Sequence, residues 1–137
     1  MGRIMGIDYG SKKTGIAVTD PLKIIAQPLL TIPTEKLYQY LLDYQKTETL
    51  EGFVVGMPSR LNGEDTHATQ PVKQFIEALK QAFPTIPIYT IDERFSSSEA
   101  FNSLIQSGAK KEKRANKELL DSMSASLILQ TYLQRIS

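Results

Sequence analysis

Residues 5–18 read MGIDYGSKKTGIAV: an apolar run, an acid, a Gly/Ser/Lys turn and a second apolar run. Two short β-type runs on either side of a glycine-bearing turn predict an antiparallel hairpin, with strands over Ile4–Ile7 and Gly15–Val18. The turn leaves Asp8 at the C-terminal end of the first strand, the edge where open α/β sheets carry their sites. Taken alone, Asp8 reads equally well as the side chain of an Asx-turn that stabilises the hairpin.

Outward from the hairpin, a third β-type run, Gln27–Ile32, follows the Asp20-Pro21 break. Leu37, Tyr40, Leu41 and Tyr44 then recur at helical spacing within Glu35–Thr47, with Thr34 available as N-cap. Gly52-Phe53-Val54-Val55-Gly56 is a continuous apolar run bounded by glycines, the pattern of a strand buried on both faces. A polar loop through Gly63 leads to a second helix ending near Phe83, with Val72, Phe75, Ile76 and Leu79 on one side and Pro71 in its first turn. Ile86–Ile91 predicts another buried strand. Ser96 and Glu99 have capping-box spacing for a helix reaching Ser107 and closed by Gly108, and a last helix is expected over Lys117–Leu133. Strands joined by short turns pair antiparallel, and strands joined through helices pair parallel. The expected fold class is therefore α/β: a mixed five-stranded sheet, its first three strands antiparallel, flanked by helices.

At 137 residues the chain is expected to form a single domain over 1–137, large enough to bury a core. Hydrophobic residues make up 41% and charged residues 23%, close to globular averages, which argues against a disordered or fibrous class. The chain has no cysteine, so disulfides, thiolate nucleophiles and cysteine zinc sites are excluded. No apolar run approaches the ~18 residues of a spanning helix, and the N-terminus lacks a signal-peptide core. A cytoplasmic protein with no membrane partner is expected. The net charge is +1, so any polyanion must be met by local clusters rather than by a global field.

Two further acids stand out. Glu93 ends the last predicted strand and so returns to the edge of Asp8, but its neighbour Asp92 competes for that role; strand alternation lets only one of them face a site and does not choose. Asp121, in LLDSMSASLILQ, lies one helical turn from Ala125 and two from Ile128, on a face of small and apolar residues where a charge is costly unless paired or metal-bound. An acid early in a helix is also welcome for the helix dipole. Ser122, Ser124, Ala125 and Ser126 would let this helix approach the sheet closely and bring Asp121 toward Asp8.

Three carboxylates drawn together select hard cations, Mg²⁺ or Mn²⁺, whose coordination is completed by substrate phosphates. Two such ions roughly 4 Å apart hydrolyse phosphodiesters without a side-chain nucleophile, which suits a chain with one histidine, His67, and no cysteine. Lys110, Lys111, Lys113 and Arg114 precede the last helix, and Lys12, Lys13, Arg60 and Arg94 are expected near the same sheet edge. Around an acidic centre such residues dock phosphates without reading sequence.

These residues resemble one family over almost the whole chain: the YqgF family, also called RuvX, of Holliday junction resolvases within the ribonuclease H-like fold. GIDYGSKKTGIAVTD is similar to its opening hairpin, VVGMPSRLNGE to its Gly-x-Pro loop, IDERFSS to its Asp-Glu-Arg segment, and KKEKRANKELLDSMSASLILQTYL to its basic loop and final helix. The resemblance implies Asp8, Glu93 and Asp121 as catalytic metal ligands, and so chooses Glu93 over Asp92. It implies a nuclease acting on structured RNA, at the 5′ end of pre-16S rRNA, or on branched DNA. Resolving a junction takes two active sites and would call for a homodimer. Two stretches depart from the family pattern: Ser59-Arg60-Leu61 is less typical within the second motif, and Ser124 stands where resolvases elsewhere in the superfamily can carry a fourth acid. Two competing readings are a non-catalytic ribosome-assembly factor that binds nucleic acid and an actin-like nucleotide-binding domain. The latter needs a second related domain, for which this chain has no second hairpin.

Overall fold

A computed structural model describes residues 2–58, 69–92 and 117–136, with the backbone alone for 117–121. Five strands, β1 (Arg3–Asp8), β2 (Lys13–Thr19), β3 (Ala26–Pro33), β4 (Leu50–Met57) and β5 (Ile88–Asp92), form one sheet in the order β3-β2-β1-β4-β5. β1 pairs antiparallel with β2, and β2 with β3; β1 and β5 each pair parallel with β4. The mixed sheet is the expected one, and β1 runs through its centre. A 3₁₀ turn (Thr34–Lys36) leads into α1 (Leu37–Thr47), while α2 (Thr69–Ala82) joins β4 to β5 and α3 (Lys117–Ile136) comes last. The helix expected from Ser96 to Ser107 lies outside the described residues, as does His67.

The central strands carry near-continuous apolar runs because both faces of the sheet are covered. On one face Met5, Ile7, Phe53 and Val55 pack with Leu37 and Leu41 of α1 and with Val72, Phe75, Ile76 and Leu79 of α2. On the other, Ile4, Ala17, Val54 and Ile91 pack with Ala125, Ile128, Leu129 and Leu133 of α3. Each of the larger side chains among them, the valines, leucines, isoleucines, methionine and phenylalanines, contributes on the order of 2 kcal/mol of hydrophobic stabilisation when fully buried. Among the described residues no helix is long and apolar enough to cross a membrane.

Three local expectations change. Thr34 does not cap α1: its hydroxyl is used elsewhere, and the helix is entered through the 3₁₀ turn with no side-chain cap. Ile86 is not in a strand; its N–H donates to the Phe83 carbonyl at 3.2 Å and its side chain is buried, so the apolar run reflects a packed turn ahead of β5. α3 continues three residues past Leu133.

Candidate functional site

β1, β4 and β5 are parallel, with Ile7 beside Val55 and Met57 beside Asp92, so Asp8, Met57 and Asp92 end at one edge of the sheet. Side chains alternate along a strand. Ile4 belongs to the α3 core and Met5 and Ile7 to the opposite core, which assigns Asp8 to the α3 face. The same alternation from Ile91, which packs on α3, puts Asp92 on the other face. Asp8 is half-buried and pairs across the hairpin with Gly15.

α3 crosses β1 in close contact at Gly6. A Cβ built on Gly6 would stand 2.8 Å from the Ala125 carbonyl oxygen, nearer than packed atoms come. Farther along the helix, the Ala26 N–H at the opposite end of the sheet donates to the Gln130 side chain at 3.4 Å. α3 therefore runs antiparallel to β1. From the Gly6–Ala125 crossing, two residues of strand advance about 6.6 Å to Asp8. One turn of helix advances about 6 Å in the same direction to Asp121. The backbone positions of these two acids approach the same edge.

The hairpin turn is held by a threonine pair that the sequence reading missed. The Thr34 hydroxyl donates to the Gly10 carbonyl at 2.6 Å, so the Thr14 hydroxyl, 2.9 Å away, donates to Thr34. The Thr34 N–H donates to the Lys12 carbonyl at 2.9 Å. A side chain at Gly10 would overlap the Lys13 carbonyl oxygen, so this turn requires glycine. Lys12 and Lys13 are exposed on this braced turn, beside Asp8. Thr14 is fully buried, and buried hydroxyls need partners, but its burial is a tertiary fact that the sequence does not show.

Glu93, Arg60, Arg94, Lys110, Lys111, Lys113 and Arg114 lie outside the described residues. Among the described residues there is no group of three metal-ligating side chains. Ser124 is buried in α3. On the α2 face, directly after Asp8, Tyr9 stacks on Phe75 with ring centroids 4.6 Å apart and lines a cavity of about 240 Å³.

Comparison with known proteins bears on this geometry. Residues 2–135 match the model of a family described as RuvX, Holliday junction resolvase. A protein of Porphyromonas gingivalis named "Putative pre-16S rRNA nuclease" is 50% identical over 97% of this chain and 96% of its own. A protein of the same name from Flavobacterium psychrophilum is 45% identical, covering 98% of both chains. Among solved structures, T. thermophilus RuvC in complex with Holliday junction substrate superposes with a TM-score of 0.58 at 16% identity, over 100% of this chain and 97% of that one. The sheet and helices thus form a ribonuclease H-like fold.

Proposed function

The chain belongs to the RuvX Holliday junction resolvase family, and on that premise we propose that it is a divalent-metal-dependent nuclease whose substrate is the structured 5′ region of pre-16S rRNA. The observation that carries the reading is the crossing of β1 and α3 at Gly6, which brings the positions of Asp8 and Asp121 toward one sheet edge. Glu93 is the third acid in this reading. The position of Asp92 on the α2 face supports that choice over its neighbour.

The donor set is carboxylate oxygen alone, which suits a hard cation. Asp8, Glu93 and Asp121 would hold Mg²⁺ or Mn²⁺, which when bound supplies Lewis-acid polarisation of the phosphate and of the attacking water. Lys12 and Lys13 on the braced turn, with Arg60, Arg94, Lys110, Lys111, Lys113 and Arg114, would dock flanking phosphates and offset their repulsion from the acids. In this reading residues 1–137 act as one domain in the cytoplasm, where precursor rRNA is found.

The test is cleavage by the purified protein, with Mg²⁺ or Mn²⁺, of a 16S precursor fragment bearing its 5′ extension and of a four-way DNA junction. Cutting of the precursor, lost in Asp8→Asn and Asp121→Asn, is expected. Unchanged cutting in those variants would overturn the assigned site. Cutting of the junction alone, by a protein that sediments as a dimer, would move the substrate to branched DNA.

A further inference from the structure

Asp8 and Tyr9 are consecutive, yet they serve opposite faces of the sheet. Asp8 turns to α3, whereas Tyr9 packs with the α2-side core and stacks on Phe75 at 4.6 Å with an interplanar angle of 17°. Phe75 is buried and Tyr9 half-buried, so among the described residues the stack ends at Tyr9. Tyr38, 39% exposed on α1, stands 6.2 Å from Phe75 and forms another wall of the same cavity. Gln74, exposed on α2, lines the cavity as well, and its amide offers both donors and an acceptor.

A surface cavity with aromatic walls and one amide at its rim fits a planar heterocycle that carries hydrogen-bonding edges. The roughly 240 Å³ volume has room for one such ring and not for a folded strand. Its location narrows the choice further. Asp8 and Tyr9 stand on opposite faces but at the same edge of the sheet, with Cα atoms about 3.8 Å apart, so a strand that passes over this edge with a phosphate on the Asp8 side brings a neighbouring nucleotide to the Tyr9 side. The braced hairpin fixes this relation, because Thr34 both lines the cavity and bonds to the Gly10 carbonyl.

We propose that the Tyr9–Tyr38–Phe75 cavity receives one unpaired nucleobase flanking the scissile phosphate, with the base extending the Phe75–Tyr9 stack and Gln74 meeting its edge. This rests on the nuclease reading and adds to it a requirement on the substrate: the strand must be single-stranded, or open readily, at the cut. A base held in a duplex can enter only after unstacking and unpairing, which costs energy. Stacking on an aromatic side chain is tolerant of base identity, so the cavity selects for an unpaired base rather than for a sequence.

The test is a binding cycle read without cleavage. An RNA hairpin with an unpaired 5′ flank, and a set of copies carrying a single abasic site moved through that flank, are titrated in metal-free buffer against wild type, Tyr38→Ala, Gln74→Ala and Tyr9→Leu. At one position the abasic site should weaken wild-type binding by about 10-fold. That penalty should vanish in Tyr9→Leu and shrink in Tyr38→Ala and Gln74→Ala. Tyr38 and Gln74 are exposed, so their variants remain informative should Tyr9→Leu fail to fold. An abasic penalty of equal size in wild type and in all folded variants would overturn the proposal, as would no penalty at any position. Neither result touches the nuclease reading, which stands or falls on metal-dependent cutting by wild type against Asp8→Asn.

Discussion

The α-carbon of Gly6 lies so near the Ala125 carbonyl that a methyl group there would be 2.8 Å from that oxygen and 2.9 Å from the Leu129 Cβ. The neighbours are helix backbone and a buried leucine, neither of which can swing aside, so Gly6→Ala must push α3 off the sheet. Overpacking of this kind costs about 1–3 kcal/mol, and a lowering of Tm by about 3–10 °C is expected by calorimetry. Cleavage assayed well below that Tm should fall further than stability does, by about 10- to 100-fold, because the helix carrying Asp121 is displaced from Asp8. Normal activity in a destabilised Gly6→Ala protein would mean the crossing is packing alone.

Thr34→Val keeps the shape of the side chain and removes its hydroxyl. The Gly10 carbonyl then loses its 2.6 Å donor and the buried Thr14 hydroxyl loses its acceptor. Leaving such groups unsatisfied costs about 1–3 kcal/mol in chemical denaturation, and Thr34→Ser should recover most of it. Thr14→Val combined with Thr34→Val should cost less than the sum of the single changes, since the pair shares one chain of bonds.

What was legible in the sequence, and what was not, follows from the range of each interaction. The hairpin, the buried β4 run and the α2 stripe are local patterns of period 2 or 3.6, and the mixed sheet follows from their order. The helix's share of the close approach is also visible, in Ser122 and Ala125. The strand's share, Gly6, is not, since a glycine inside a short apolar run reads equally as a bulge. Thr34 was misread because a threonine ahead of a helix looks like a cap, and only the fold brings the Gly10 carbonyl to its hydroxyl. Which face Asp92 takes could not be read from pattern alone, because it depends on which face Ile91 packs, a tertiary fact.

At the far end of the sheet, the Asp20 carboxylate accepts the N–H groups of Ile25, Ile24 and Leu22 at 2.9, 2.8 and 3.2 Å. The Ile25 N–H, helped by those of Ile24 and Leu22, holds the Asp20 carboxyl below its ordinary value, against a smaller opposing effect of desolvation. The depressed group stabilises the β2–β3 loop at pH values above its unfolded-state pKa, and that contribution is lost as pH falls through the lower folded value. The amide proton resonances of Ile24 and Ile25 should therefore titrate together in acid, with a midpoint below that of an ordinary aspartate. In Asp20→Ala the titration should be absent and the loop amides should exchange faster.

Lys12 is exposed on the turn beside Asp8. If it docks a phosphate, Lys12→Gln should weaken RNA binding by a similar factor on unrelated sequences and reduce the slope of log affinity against log salt by about 0.7–0.9. An unchanged slope would remove Lys12 from the interface.

Asp8→Asn separates the two roles that the residue could play. Asparagine forms an Asx-turn as readily as aspartate, so a turn-former loses little on this change and a metal ligand loses its charge. Cleavage should fall by about 1,000-fold or more, the size expected when a group acting on the reacting phosphate is removed. Binding of the RNA hairpin in metal-free buffer should move the other way. Without a cation the carboxylate repels the substrate phosphate, and removing one negative charge a few ångströms away favours binding by about 1 kcal/mol or less in a wet site. Metal-free affinity should thus rise by up to about 5-fold while cleavage is lost, and fluorescence anisotropy alongside a gel assay reads both. A variant in which binding and cleavage decline in proportion would return Asp8 to the turn.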